Sequence, residues 1–200
     1  MMPRALIFDI GNVLLFHDNA VMWRKLAELF GRNEAEVQDA FSRDGLAAQT
    51  SRGLLTPEAM HAEYCRRLTA CPDYAAFFES YCGHFRPNDA ITALIERLAG
   101  RYRLLTLSNT NPVHVQYLRE HLPILKQFDE VLLSSDLGIV KPERAIYEEA
   151  VRRSGVSAAE CVYTDDLLPF VQAARASGLQ ALLFSDTATL ERELAALRVT

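Results

Sequence analysis

Long apolar runs are missing from this 200-residue sequence, in which no stretch approaches the roughly 18 residues that a membrane-spanning helix requires. An apolar stretch does follow the single arginine near the start, but Asp9 interrupts it and no small-residue cleavage site follows. A secretory signal is therefore not predicted. We expect a cytoplasmic protein that has no membrane partner.

Runs of basic residues are also absent, and the net charge at pH 7 is −5. The chain thus lacks the positive surface that binding to a nucleic-acid backbone requires, and we expect no nucleic-acid partner. An anionic small molecule is not excluded, because a few local cations or one metal ion can reverse the electrostatic field in a cleft.

Cysteine is scarce, and its spacing does not form a CxxC pair or a zinc motif. We therefore expect Cys65, Cys71, Cys82 and Cys161 to be free thiols. The composition is 50% hydrophobic and 24% charged, which is typical of a globular protein. The length suits one α/β core with a modest insertion, and the sequence carries no signal for an oligomeric state.

Strand-like and helical patterns alternate along most of the chain. Short apolar runs that end in polar or small residues lie at 5–10, 102–107, 130–133, 161–164 and 180–184. Helical patterns lie at 112–121, 142–154, 169–177 and 188–197. Three of these helical patterns carry proline where a first turn would begin. The alternation predicts an α/β fold: a Rossmann-like, doubly wound parallel sheet of about five strands.

One long interval, residues 16–86, breaks the alternation because it contains no strand-like run. It shows amphipathic helical patterns at 19–30, 33–43, 57–68 and 74–81. A further helix at 88–98 leads back to the sheet. We therefore predict a core domain of residues 1–15 and 87–200 with an inserted helical cap of residues 16–86.

The carboxyl ends of the predicted strands carry polar side chains. Ligands of parallel sheets bind beyond these ends. The residues found there are Asp9, Gly11, Asn12, Ser108, Asn109, Lys141, Asp165 and Asp166. Several acids at one rim repel each other unless a cation lies between them. Carboxylates with a few waters suit Mg²⁺, which is the cofactor we expect.

Four segments resemble, in order, the motifs of the haloacid dehalogenase-like (HAD) superfamily. They are FDIGNVLL, LLTLSNTN, SSDLGIVKPERAIY and YTDDLLPFVQAARASG. The resemblance spans about residues 4–184. The helical insertion after the first motif is similar to that of the sugar-phosphate phosphatases and the phosphatase domains of epoxide hydrolases.

The resemblance implies a role for each acid. Asp9 would be the nucleophile that forms an aspartyl phosphate, since a carboxylate is ionised at neutral pH without help from a base. Mg²⁺ would be held by Asp9, Asp166 and the backbone carbonyl of Gly11. Asp165 would complete the metal site from its outer shell.

The resemblance also implies how a phosphoryl group is bound. Ser108 and the backbone N–H of Asn109 would contact its oxygens, and Lys141 would neutralise its charge. Asn12 would place water or substrate. In the cap, His17, Trp23 and Arg52 are candidates to meet the substrate, and helix packing is the alternative for Trp23.

Two positions depart from the usual pattern. Phosphatases of the superfamily usually carry a second Asp, the general acid, two residues after the nucleophile, where this chain has Gly11. Loss of a general acid typically costs 10²–10⁴-fold in rate. Phe170 replaces a usual polar residue of the fourth motif. We therefore expect a preference for good leaving groups, such as sugar 1-phosphates or acyl phosphates, with rates that fall steeply as the leaving-group pKa rises.

The function predicted from the sequence is a magnesium-dependent phosphatase acting on a small phosphorylated metabolite. One alternative is a 2-haloacid dehalogenase, which uses the same nucleophile without a metal; the Asp165-Asp166 pair argues against it. The other alternative is a catalytically weak protein that binds a phosphometabolite or a partner.

Overall fold

The computed structural model describes residues 2–200 and places seven strands among them. In chain order these are β1 (Ala5–Phe8), β2 (Leu15–Phe16), β3 (Arg86–Pro87), β4 (Arg103–Ser108), β5 (Glu130–Leu133), β6 (Cys161–Asp165) and β7 (Gln180–Leu183). The main sheet is parallel, with the order β5-β4-β1-β6-β7. The predicted fold class is confirmed.

Strand β1 lies at the centre of this sheet, where Leu6 is opposite Leu104 of β4 and Val162 of β6. The chain first adds β4 and β5 on one side of β1 and then β6 and β7 on the other. The strand order therefore reverses at β1, and the carboxyl end of β1 is the switch point where such sheets bind ligands.

Eleven α-helices lie within residues 2–200. They are α1 (Asn19–Phe30), α2 (Glu34–Ser42), α3 (Leu46–Ser51), α4 (Pro57–Leu68), α5 (Tyr74–Cys82), α6 (Asp89–Leu98), α7 (Pro112–His121), α8 (Ser134–Leu137), α9 (Arg144–Ser154), α10 (Leu168–Ala176) and α11 (Thr187–Ala196). Leu6 and Phe8 pack with α6, α7 and α11, whereas Ala5 and Ile7 pack with α9 and α10. Burial of both faces explains why β1 is uniformly apolar.

Helices α1–α5, which we call the helical cap, have an apolar core of their own. Its centre includes Leu26, Phe30, Tyr64 and Phe77, all of which are buried. Trp23 packs on a ring of this cluster.

The antiparallel pair β2–β3 joins the two ends of the helical cap. Two residues are too few to show strand periodicity, so this pair has no signature in the sequence. The proposed domain limits remain a prediction.

The structure corrects three expectations. Cys65 and Cys71 are joined by a disulfide, so the prediction of free thiols is wrong for this pair. The chain turns after α4 and brings their Cα atoms to 4.6 Å, a separation that a disulfide can span.

Helix α9 begins at Arg144 and not at Pro142 as expected. Pro142 lies in a turn in which Glu143 N–H donates to Val140 O at 2.9 Å. Helices α3 and α8 were not predicted.

The helices of the described chain are short. Within residues 2–200, none combines the length and the apolar character that crossing a bilayer requires.

Candidate active site

Asp9 follows β1 directly and lies at the switch point of the sheet. Its backbone N–H donates to Thr164 O of the neighbouring strand at 2.9 Å, and the residue is only 7% exposed. The carboxylate is therefore fixed at the carboxyl end of the central strand. Ser108, at the end of β4, lies within hydrogen-bonding reach of this carboxylate.

Lys141 forms the positive centre of the site. Its Nζ lies 2.9 Å from Asp9 Oδ1 and 2.7 Å from Asp165 Oδ2, and the residue is 3% exposed. Asn109 fixes the lysine backbone, since Asn109 Oδ1 accepts from Lys141 N at 2.7 Å and Asn109 Nδ2 donates to Lys141 O at 2.9 Å. The Phe170 ring lies 4.9 Å from Nζ, within range of a cation–π contact.

The two acids that follow β6 have different surroundings. Asp165 is fully buried, and its oxygens accept from Lys141 Nζ, from the Tyr163 hydroxyl and from Leu167 N–H. Asp166 is half-buried, and its Oδ2 accepts from Asn12 Nδ2 at 3.0 Å. Both carboxylate oxygens of Asp165 thus accept hydrogen bonds from the protein, whereas Asp166 keeps oxygen lone pairs available for a ligand.

The charges around Asp9 favour a bound cation. Carboxylate oxygens of Asp9, Asp165 and Asp166 lie within 4.8 Å of one another. Burial raises the pKa of Asp9; Lys141 lowers this pKa and the nearby Asp165 raises it. The one ammonium group contacts two of these three carboxylates, so a divalent cation would relieve the repulsion that remains among them. Oxygen donors of this kind are those that Mg²⁺ prefers.

A cavity of about 200 Å³ is lined by Gly11, Ser108 and Asn109, which neighbour these groups, whereas Asp9, Lys141, Asp165 and Asp166 do not line it. His17 and His114 line the same cavity. A larger cavity, of about 440 Å³, lies elsewhere between the cap and the core and is lined by none of the predicted site residues. The smaller cavity is therefore the candidate substrate site.

Of the residues predicted to bind substrate, Gly11, Ser108 and Asn109 line the candidate cavity. Asn12 does not line the cavity: its side chain holds Asp166 and also accepts from His17 N–H at 3.4 Å. Its predicted contact with substrate stays a prediction. Tyr163 was missed, although the two-residue period of a strand places it on the same side as Asp165. No comparable pattern in the sequence indicated His114.

Comparison with known proteins identifies the family of this chain. A family model described as haloacid dehalogenase-like hydrolase matches residues 3–178. The chain belongs to this family. In this HAD hydrolase the four motifs lie at the ends of four parallel strands.

Three similar proteins illustrate the relationship. The sesquiterpene phosphatase astK of Aspergillus oryzae is 27% identical over 96% of this chain and 94% of its own length. A HAD family enzyme from Bacteroides thetaiotaomicron, solved with magnesium and inorganic phosphate, has a TM-score of 0.84 at 19% identity, covering 94% of this chain and 98% of the other. L-2-haloacid dehalogenase from Xanthobacter autotrophicus has a TM-score of 0.65 at 19% identity, covering 98% and 83%. Three further curated relatives are longer, and the chain spans less than half of each.

Arg52 connects the cap of the HAD hydrolase to its core and does not line the candidate cavity. Its guanidinium pairs with Glu143 and donates to Gly138 O at 3.0 Å. The adjoining Gly53 has φ +66°, and a Cβ built there would lie 1.9 Å from the backbone oxygen of Ser135. The close approach of Gly53 to the Ser135 backbone therefore leaves no room for a side chain at position 53.

Replacing Gly53 by Ala should therefore weaken the contact between cap and core. We expect a loss of about 1–3 kcal/mol of stability from the steric clash, in addition to the cost of a left-handed alanine, together with a raised KM. Denaturant unfolding and steady-state kinetics would measure both effects. Gly45→Ala is the matched control, because Gly45 has φ +71° but nothing lies within 4 Å of its Cβ position. Equal losses in the two variants would contradict the prediction.

Proposed function

We propose that this HAD hydrolase is a magnesium-dependent phosphatase that hydrolyses a small phosphate monoester. The observation that carries the proposal is the convergence of Asp9, Lys141 and Asp166 at the switch point of the sheet, where Gly11 and Ser108 border a cavity. The relative named as a phosphatase and the similar fold solved with magnesium and phosphate support it.

Asp9 is the nucleophile in the proposed reaction. Its carboxylate oxygen attacks phosphorus, the ester P–O bond breaks, and the alcohol oxygen leaves and takes a proton from solvent water. A water molecule then attacks the phosphorus of the aspartyl phosphate and gives up a proton to solvent, which releases inorganic phosphate and restores the carboxylate. Lys141 holds Asp9 in place and offsets the negative charge of the incoming phosphoryl group.

The residues present fit a magnesium ion. Asp9 and Asp166 offer carboxylate oxygens, and the backbone carbonyl of Gly11 is the third expected ligand. Asp165 acts through Lys141, because its own oxygens are already hydrogen-bonded. When bound, Mg²⁺ would supply positive charge to the phosphoryl oxygens and align them with Asp9.

Ser108 and Asn109 bind the phosphoryl group in this proposal. Both line the cavity, and Ser108 is within hydrogen-bonding distance of Asp9. The side chain of Asn109 is occupied by the Lys141 backbone, so Asn109 would act through its backbone N–H. Ser108 ends strand β4 and Asn109 follows it directly, so both are positioned by the sheet.

The proposal is tested by phosphate release from p-nitrophenyl phosphate with Mg²⁺ and with EDTA. We expect EDTA to remove the activity, and Asp166→Asn to raise the Mg²⁺ concentration needed for half-maximal activity by at least about 10-fold. Excess Mg²⁺ should partly restore this variant. Asp136→Asn is the matched control, since Asp136 is exposed and pairs with Arg119.

Activity that is indifferent to both EDTA and Asp166→Asn would refute the metal site. Halide release from a 2-haloacid in EDTA, without phosphate release, would show instead that the chain is a dehalogenase. Asp166 argues against that outcome, because a metal-free displacement has no use for an acid held beside the nucleophile.

A further inference from the structure

The disulfide of the helical cap joins two sulfurs with different surroundings. Cys65 lies in α4 and is partly buried against the apolar core of the cap, whereas Cys71 is exposed in the segment between α4 and α5. Neither residue lines the candidate cavity, so the pair is separate from the site proposed above. Thiols in solution can reach an exposed disulfide, and exposed disulfides are the labile ones.

His61 lies beside the less exposed sulfur of this pair. It precedes Cys65 by one helical turn, so both side chains lie on the same face of α4. Its Nε2 atom is 3.4 Å from Cys65 Sγ. The imidazole packs on the rings of Tyr74 and Phe77, with centroids 5.6 and 4.9 Å away, and this packing fixes its position.

The contacts of His61 also show which ring nitrogen carries a proton. Nε2 lies 3.0 Å from Pro72 O, and a carbonyl oxygen can only accept a hydrogen bond. Nε2 is therefore protonated, and the same N–H group is within reach of Cys65 Sγ. A metal ion bound by His61 and both sulfurs would need a free lone pair on the nitrogen that lies beside Cys65. The arrangement therefore favours sulfur chemistry over metal binding.

We propose that Cys65–Cys71 is a thiol–disulfide exchange site, at which a small-molecule thiol attacks Cys71 and Cys65 leaves as a thiolate that accepts a hydrogen bond from His61. In the first step the sulfur of the incoming thiolate bonds to Cys71 Sγ, the disulfide bond breaks, and its electron pair stays on Cys65 Sγ. A second thiolate then attacks the small-molecule sulfur of the mixed disulfide and releases Cys71. Two small thiols are oxidised to one disulfide, and the protons that they lose to solvent are replaced on the two cysteines.

Access and leaving-group stability both favour this direction of attack. Access decides which sulfur of a disulfide is attacked, and Cys71 is the exposed one. A sulfur leaves faster when its thiolate is stabilised. The hydrogen bond from His61 becomes stronger once Cys65 carries a negative charge, because charge-assisted hydrogen bonds are about twice as strong as neutral ones. Attack on Cys65 would have neither advantage.

Trapping the mixed disulfide on the full chain tests the direction. The oxidised wild type is treated briefly with reduced glutathione, quenched with N-ethylmaleimide and digested for mass spectrometry. We expect glutathione on Cys71 and N-ethylmaleimide on Cys65, in about 10-fold excess over the opposite arrangement. Cys82 and Cys161 are internal controls, because both are buried and burial raises the pKa of both thiols. Neither should carry a label unless denaturant is added.

Two substitutions of His61 isolate the hydrogen bond. His61→Phe keeps a ring to pack on Tyr74 and Phe77 but removes the N–H group. The rate constant for reduction of the disulfide by glutathione should therefore fall by about 10-fold. His61→Gln places an amide N–H near the same position and should keep most of the wild-type rate. A residue that only packed in the cap would give the reverse order, because phenylalanine preserves the packing better than glutamine.

Glutathione found mainly on Cys65, or equal rate constants in the wild type and His61→Phe, would overturn the proposal. Zn²⁺ binding by the reduced chain that is lost in His61→Phe would also overturn it, since the residues would then form a metal site. If His61→Phe does not fold, the trapping on the wild type and the rate of His61→Gln still decide. The outcome is independent of phosphate release, so a failure of the proposed phosphatase function would leave it unchanged.

Discussion

Asp9→Asn should reduce phosphate release by more than about 10⁴-fold without loss of folding stability. The substitution keeps the size of the side chain but removes the nucleophile. Neither Ser108 nor Lys141 can replace it, since both are placed to bind and to neutralise the phosphoryl group. The residual rate should be the background that binding and electrostatics alone provide.

The stability of this variant follows from the pKa of Asp9. Burial raises this pKa above its ordinary value, so the folded state disfavours the charged form. The charged carboxylate therefore lowers stability at any pH above its raised pKa, and that loss is relieved as the pH falls through the raised value. The amide in the Asp9→Asn variant never carries the charge, and Lys141 keeps Asp165 as a partner at 2.7 Å. Without metal, we expect a melting temperature equal to or above that of the wild type.

Asp165→Asn is the contrasting control for this experiment. Asp165 accepts from Lys141, Tyr163 and Leu167 N–H, and an amide would turn a donor toward these donors, which leaves buried donors without an acceptor. A loss of about 1–3 kcal/mol for each such donor is expected. Thermal unfolding in EDTA would separate the two variants. A fall in melting temperature of Asp9→Asn as large as that of Asp165→Asn would contradict the assignment.

Much of the fold could be predicted from local patterns. Five apolar runs alternate with helices, and the strands they predict form the parallel sheet with small shifts of their ends. Acids and hydroxyls that follow different strands meet because all carboxyl ends of a parallel sheet lie on one edge. Asp9, Ser108, Lys141 and Asp166 could thus be placed at one rim without any coordinates.

Long-range contacts could not be predicted in this way. Asn109 holds the backbone of Lys141, which lies 32 residues away, and Asn12 holds Asp166, which lies 154 residues away. Neither pairing has a local signature. The position of His17 is of the same kind, because the turn after β1 folds back and places its ring beside Gly11.

Restoring the missing acid should raise the rate on poor leaving groups, but only if His17 is also removed. A Cβ built on Gly11 would lie 3.2 Å from His17 Nε2 and 3.3 Å from Cδ2, so the imidazole occupies the space that an Asp side chain would need. We expect Gly11→Asp alone to gain little. The double variant Gly11→Asp with His17→Ala should gain about 10²-fold on an alkyl phosphate, the lower end of what a general acid contributes.

The gain should come with a change in leaving-group dependence. In the wild type, kcat/KM should fall steeply across aryl and alkyl phosphates as the pKa of the leaving group rises. In the double variant, kcat/KM should depend only weakly on this pKa, because the introduced carboxyl group would protonate the departing oxygen. Gly11→Asn with His17→Ala is the matched control, since it fills the same space without a transferable proton. An equal gain in that control would assign the effect to packing. A flat profile in the wild type would show that proton donation already occurs without a side chain at position 11, and the preference for good leaving groups would then be wrong.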